Sequence, residues 1–245
     1  MLFRSMASIR ILDLLWQAAT AVLVFLIALR VHGRRPAALA AGIACTLAYA
    51  SLGWWNTAQS DTFISLPVAG AVLLTLRACD RDRALASLCA AGALIACAFY
   101  LKYPAGAMLP VCAAILFRRR GTHAAGGAAA MAAGFILVAG GYALYLAAAG
   151  AWREYWYAQF VWVRQYARLG GSAGGSLRLP ALLNSHFGVV ALGLLALAAA
   201  VRAAARRRIG LPVALVVLWT SVALLGLYLQ NKFYLYHFGP LLAPL

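Results

Sequence analysis

Eight apolar stretches run through this chain, at roughly 11–29, 37–55, 62–77, 84–101, 104–117, 124–148, 186–201 and 210–229, and a ninth begins near Phe238. Every second junction between them carries an arginine cluster: Arg30/Arg34/Arg35, Arg77/Arg81/Arg83, Arg118/Arg119/Arg120 and Arg202/Arg206/Arg207/Arg208. The short alternate junctions hold only Lys102 and Lys232, and the long 149–185 segment, where the charge rule counts less, holds Arg153, Arg164, Arg168 and Arg178. A soluble domain has no reason to alternate in this way. A polytopic membrane protein does, because Lys and Arg are retained in cytoplasmic loops. The pattern therefore predicts an all-α, polytopic transmembrane bundle of about eight to nine spans. It puts the arginine clusters inside, and the N-terminus and the long 149–185 segment outside. The spans at 62–77, 104–117 and 186–201 fall short of the ~20 residues of a full crossing, which tilt, extended ends or snorkelling arginines would accommodate.

Composition agrees. Hydrophobic residues make up 65% of the 245, charged residues 11%, and the mean hydropathy is +0.86, against about 45–50% apolar and 25% charged in ordinary globular domains. The formal net charge of +16 resembles that of a nucleic-acid binder. The cytoplasmic loops explain most of it, and no basic helix interleaved with aromatics offers a groove reader. Nucleic acid is not an expected partner. The five cysteines (Cys45, Cys79, Cys89, Cys97, Cys112) form no CxxC pair and read as small apolar residues, with no disulfide framework and no zinc site. The basic start resembles a secretory leader, but no small-residue cleavage site precedes a soluble domain. Residues 1–245 read as one integral membrane domain. A start outside the membrane and an end partway into a ninth stretch set the expectation of a fragment lacking sequence at both ends.

Two segments have a structural reading. Ala and Gly crowd 124–141, and small residues let helices approach closely in lipid. The outer segment 149–185 begins with Trp152, Tyr155, Trp156, Tyr157, Phe160, Trp162 and Tyr166. It reads as an amphipathic interfacial helix at headgroup level, followed by a Gly-rich hinge at 170–175 that matches no phosphate loop.

The few polar groups on the quiet side each carry two readings. Lys102 is a snorkelling helix-end lysine or a compact cation for a lipid phosphate. Asp61 is a helix N-cap for the run that follows it, or a carboxylate that orients a sugar hydroxyl. Lys232, Tyr234, Tyr236 and His237 form an aromatic belt with one lysine or a second phosphate clamp. Arg164 and Arg168, four apart and on one face of a helix, bind anionic headgroups generally or one phosphate in particular. No metal-ligand spacing and no nucleophile–base triad is present. No cofactor is evident, and a divalent cation is not readable from the sequence.

Three outer-side stretches, "AQSDTF" (58–63), "FYLKYPAG" (99–106) and "NKFYLYHFGPLLAPL" (231–245), resemble the multi-spanning glycosyltransferases of the GT-C fold. The likeness is to bacterial relatives of the dolichyl-phosphate-mannose protein mannosyltransferases, among them the aminoarabinose and galacturonic-acid transferases of lipid A and core. Asp61 stands where the family has an Asp. Lys102-Tyr103-Pro104 matches its "tKgP" pattern with Tyr103 in place of the usual Gly, and Lys232, Tyr236 and Pro240 match a late "K…Y…P". The resemblance implies transfer of a sugar from a polyprenyl-phosphate donor to a glycan, lipid or protein acceptor, on the outer face of the bacterial inner membrane. Lys102, Lys232, Tyr236, His237, Arg164 and Arg168 would hold the donor phosphate, and Gln59, Asp61 and Tyr103 the substrate. The family's base lies in an outer loop before its second helix. Asp13, inside the first span, does not match that motif, so no catalytic residue is assigned beyond an assisting role for Asp61, and the expectation is that the full-length protein is the glycosyltransferase while these 245 residues by themselves transfer no sugar. The rival classes are a transporter or lipid flippase, which would show internal repeats and mid-membrane charges, and a non-catalytic membrane subunit.

Overall fold

Gly33 and Pro36 fold the first two apolar stretches into a hairpin. Gly33 takes φ +68° and its N–H returns to the Leu29 carbonyl at 2.8 Å, the left-handed helix stop that glycine reaches without a Cβ penalty. Pro36 then opens the next helix, where its missing N–H is not needed. The result is α1 (Met6–His32) packed antiparallel to α2 (Arg35–Ser51). The computed structural model describes residues 6–53, 57–81, 84–165, 198, 202, 206, 210–230, 239–241 and 243–244.

The third stretch is broken in two. Ser60–Phe63 forms the single-turn α3 and Ser65–Cys79 forms α4. Pro67 is the cause. It has no N–H to give the carbonyl four residues back, and its ring crowds that carbonyl, so the helix loosens at Ile64. α4 is buried on most of its surface and is the centre of the bundle. After it come α5 (Leu85–Leu101), a 3-10 turn at Tyr103–Ala107, α6 (Met108–Arg120), a second 3-10 turn at Gly121–Ala124 and α7 (Ala125–Ala148). Gly121, at φ +56°, begins that second turn. Next is α8 (Trp152–Trp156), continuing as a π-helix over Tyr157–Trp162, and then α9 (Leu211–Gln230).

α5 and α7 run parallel. Leu88 meets Gly127 at one end, and Tyr100 meets Tyr142 at the other. Between these points the two backbones touch. A Cβ on Gly92 would lie 1.8 Å from the Met131 carbonyl oxygen, and one on Gly134 would lie 1.9 Å from that of Cys89. The expectation that small residues bring helices together in lipid is met here at named positions.

The outward surfaces are apolar. Leu47 on α2 is 65% exposed, and Leu137 and Leu144 on α7 are 72% and 73% exposed. A water-facing surface would carry charge there, and hydrocarbon suits it. Four helical runs are long and apolar enough to cross a membrane: Met6–His32, Ser60–Cys79, Tyr103–Ala148 and Leu211–Leu229. α2 and α5, at 17 residues each, are shorter. Seven of the expected spans thus appear as helices among the described residues. The span at 186–201 and the ninth stretch fall almost wholly outside them. No strand occurs among the described residues.

Residues of the first three arginine clusters gather at one end. Arg30 pairs with Asp80, and Arg120 donates to the carbonyls of Arg81 and, at 3.4 Å, Cys79. Asp61 precedes α4 and Asp80 follows it, so the Asp61 end and the arginine end are separated by the length of that helix, about 22 Å.

Candidate functional site

At the end away from the arginines, Lys102 and Asp61 form an ion pair, Nζ to Oδ2 2.9 Å. Helix geometry sets both positions. Lys102 ends α5 in extended backbone and begins the turn in which Pro104 sits. Asp61 lies in the first turn of α3, a favourable place for a carboxylate against the helix dipole. The cap expected of it is not made: Gln59 is the N-cap residue, without a side-chain cap bond. The Asp61 side chain is 1% exposed and that of Lys102 is 25% exposed. A carboxylate so deeply buried requires a partner, and Ser60 Oγ adds a long contact of 3.4 Å to the same oxygen.

The pair borders a cavity of about 30 Å³ walled by Ser65, Pro104, Trp219 and Pro240, room for one or two waters. α9 closes it with Trp219, Val222, Ala223 and Gly226, on a helix face whose every fourth residue, Leu215, Trp219, Ala223 and Leu227, is buried. Gly226 faces Pro104 across the cavity. Gly239 lies against the Asp61 backbone, and its carbonyl accepts from Ser65 Oγ at 3.3 Å. Residues from all three outer-side stretches, far apart in sequence, therefore converge: Asp61, Lys102 and Pro240.

The remaining candidates separate. Gln59 is half-buried, and its carbonyl accepts from the N–H groups of Thr62 and Phe63 and from Thr62 Oγ1 at 2.8 Å. Tyr103 turns towards the outer helix, ring centre 6.5 Å from that of Phe160, and does not line the cavity. The missing Gly of the motif thus becomes an aromatic contact instead of a cavity wall. Arg164 is exposed at the end of the outer helix. Lys232, Tyr236, His237 and Arg168 lie outside the described residues, as does the Gly-rich 170–175 segment. No group of three or more metal-ligating side chains occurs among the described residues.

Two residues before Lys102, at the end of α5, an aromatic cluster begins. Tyr100 donates to the Ala139 carbonyl at 2.6 Å and packs edge-on against Tyr142 at 4.2 Å. Tyr155 rests on both rings. Desolvation, and then the two neighbouring phenols, push the Tyr155 phenol up. Trp156 stacks on Phe160 at 4.4 Å, while Trp152, Trp156, Tyr157 and Trp162 keep roughly half their surface exposed. A partly π-helical turn often marks a functional stretch, and here it fans the rings outwards.

A polar stripe on α1 was not legible as a site. Arg10 donates to Thr57, and Asp13, 2% exposed, accepts from Tyr49 Oη. Trp16 Nε1 donates to the Phe63 carbonyl at 3.0 Å and Gln17 Nε2 to the Thr62 carbonyl at 3.2 Å. The available signal was Pro67, which implies an unsatisfied carbonyl at Phe63.

No curated protein and no solved structure gives a significant match to the chain. One family model does match, that of the dolichyl-phosphate-mannose-protein mannosyltransferases, over residues 2–143, more than half of the chain and including both Asp61 and Lys102. The chain belongs to that family, and with it to the membrane glycosyltransferases of the GT-C type.

Proposed function

We propose that this chain serves the transfer of a sugar from a polyprenyl-phosphate donor, with Lys102 as the cation for the donor phosphate and Asp61 as the carboxylate that holds Lys102 in place. The observation that carries the reading is the buried Asp61–Lys102 pair at the end opposite the arginine clusters. An acceptor hydroxyl attacks the anomeric carbon, the carbon–oxygen bond to the phosphate breaks, and the lipid phosphate leaves with the electron pair, while the hydroxyl proton passes to that phosphate or to solvent. Negative charge grows on that phosphate, where a fixed ammonium in a dry site is worth most. Asp61 lowers the freedom of a flexible four-carbon side chain that would otherwise snorkel. Snorkelling alone does not account for a lysine drawn inward onto a carboxylate that is 1% exposed.

A cavity of about 30 Å³ is far below the several hundred Å³ of a small-molecule site. Donor entry therefore requires α9 to withdraw from Pro104. We place the site on the outer face of the bacterial inner membrane, because the arginine end belongs in the cytoplasm by the positive-inside rule. The acceptor is a glycan, lipid or protein hydroxyl.

The test is sugar transfer in proteoliposomes from a synthetic polyprenyl-phosphate mannose. Lys102→Ala is expected to lower turnover on the order of a hundredfold, the scale of one lost oxyanion donor, with Lys102→Arg retaining part of the rate. A well-folded Lys102→Ala protein with wild-type turnover would reduce Lys102 to an anchor.

A further inference from the structure

We propose that Trp16 and Gln17 are positioning residues: they hold α3 at the angle that delivers Asp61 to Lys102. The inference deepens the reading of that pair as the donor site and rests on it for its functional arm. The argument begins at Pro67. Without an N–H on residue 67, the Phe63 carbonyl has no donor from its own helix, and a carbonyl left unpaired in lipid costs several kcal/mol. Trp16 supplies the bond from another helix, Nε1 to oxygen 3.0 Å, and its ring packs edge-on against the Phe63 ring at 5.4 Å. Gln17 Nε2 donates to the neighbouring Thr62 carbonyl at 3.2 Å.

These are the two residues directly after Asp61. The four-residue α3 is too short to hold a direction by itself. Its direction is therefore set from outside, by the two donors on α1. One turn further out the same stripe continues. Arg10 grips Thr57, and the Asp13–Tyr49 pair meets the Ala58 N–H, Tyr49 Oη to N 3.4 Å. Ala58 has φ +56°, a conformation alanine holds only when its surroundings impose it. Residues 57–63 are thus fastened to α1 and α2 along their length, and Asp61 is the one charged side chain in that segment. Its exit is towards α5.

Lys102 and Lys232 are the only lysines of the chain, which permits a test that does not depend on activity. Reductive methylation with 13C-formaldehyde keeps the charge and puts an NMR reporter on each lysine, assigned with Lys102→Arg and Lys232→Arg. Asp61→Asn defines the shift of Lys102 without the Asp61 charge. Trp16→Phe keeps an aromatic ring beside Phe63 and deletes the N–H donor together with part of the indole. It is expected to move the Lys102 resonance towards the Asp61→Asn position. Gln17→Met, which removes the second donor at nearly constant volume, is expected to move it less in the same direction. Thr20→Ala, one turn along α1, removes a buried hydroxyl bonded only to the Trp16 carbonyl and serves as the control for general loosening. It should leave the resonance in place.

A wild-type Lys102 resonance in both Trp16→Phe and Gln17→Met overturns the proposal, and so does an equal shift in Thr20→Ala. Sugar transfer is measured in parallel, where Trp16→Phe is expected to lower kcat about tenfold with little change in KM. If the resonance moves but the wild type transfers no sugar, the positioning role stands and the donor-site reading falls. If the wild type transfers sugar and Trp16→Phe matches it in rate and resonance, the positioning role falls alone.

Discussion

Asp61 and Lys102 divide one task unequally. The carboxylate is sealed in protein and the ammonium keeps a quarter of its side chain open. Removing the charge from the sealed partner is the more damaging change for the fold, because it strands a hydrogen-bonded environment built for an anion. Asp61→Asn is therefore expected to lower stability by about 1–3 kcal/mol, read as a drop in thermal midpoint in detergent, whereas Lys102→Ala costs turnover first. If Asp61→Asn melted with the wild type, Asp61 would not be the anchor of the pair. At this scale the sequence was half legible. Asp61, Lys102 and Pro240 announced themselves as rare polar or rigid residues on a quiet side. Trp16 and Gln17 did not, because an aromatic and an amide within an apolar run look like ordinary interfacial residues until the carbonyls they serve are known.

Among the elements, α5 with α7 and the α8 helix make separate predictions. The α5–α7 crossing leaves no room for a methyl group at Gly92 or Gly134. Gly134→Ala is expected to force the helices apart and destabilise by about 1–3 kcal/mol, the usual scale of overpacking, whereas Gly140→Ala, which would meet nothing, should be neutral. Equal melting of the two variants would remove the glycine contact from the account of this bundle. Trp152, Trp156 and Trp162 fan outwards beside the exposed Arg153 and Arg164, as an interfacial helix does. Brominated lipids should quench their fluorescence most strongly when the bromine sits shallow in the acyl chain, and strongest quenching at the bilayer centre would place this helix elsewhere. The spans of these elements were legible from hydropathy to within a few residues. The break at Ile64 and the π-helical turn were not, because both arise from which carbonyl meets which donor and leave no trace in an apolar average.

For the whole molecule, the alternation of arginine-rich and quiet junctions became a two-ended bundle, with Arg30, Asp80, Arg81 and Arg120 together at one end and Asp61 with Lys102 at the other. The two ends should face opposite compartments. In a background with the native cysteines replaced, Glu154→Cys is expected to react with an impermeant maleimide in intact cells and Arg119→Cys only after lysis. The reverse pattern would move the site to the cytoplasm. The helical, two-ended arrangement was legible because arginines gather at alternate junctions between apolar stretches, a property of the sequence itself. The site's walls were not, since α9 and residues 239–240 reach Asp61 only through packing over nearly the full length of the chain.

The backbone contact between α5 and α7 also fixes how the molecule can move. Two helices pinned glycine to carbonyl cannot slide or pivot without a clash, so they act mechanically as one plank. That plank carries Lys102 at its tip. α9, by contrast, faces the Lys102 turn at Gly226, where even an added Cβ would meet Pro104 only at ordinary van der Waals distance. Any breathing of the bundle is therefore a swing of α9 against a stationary plank, and the lysine is the fixed jaw of that vice.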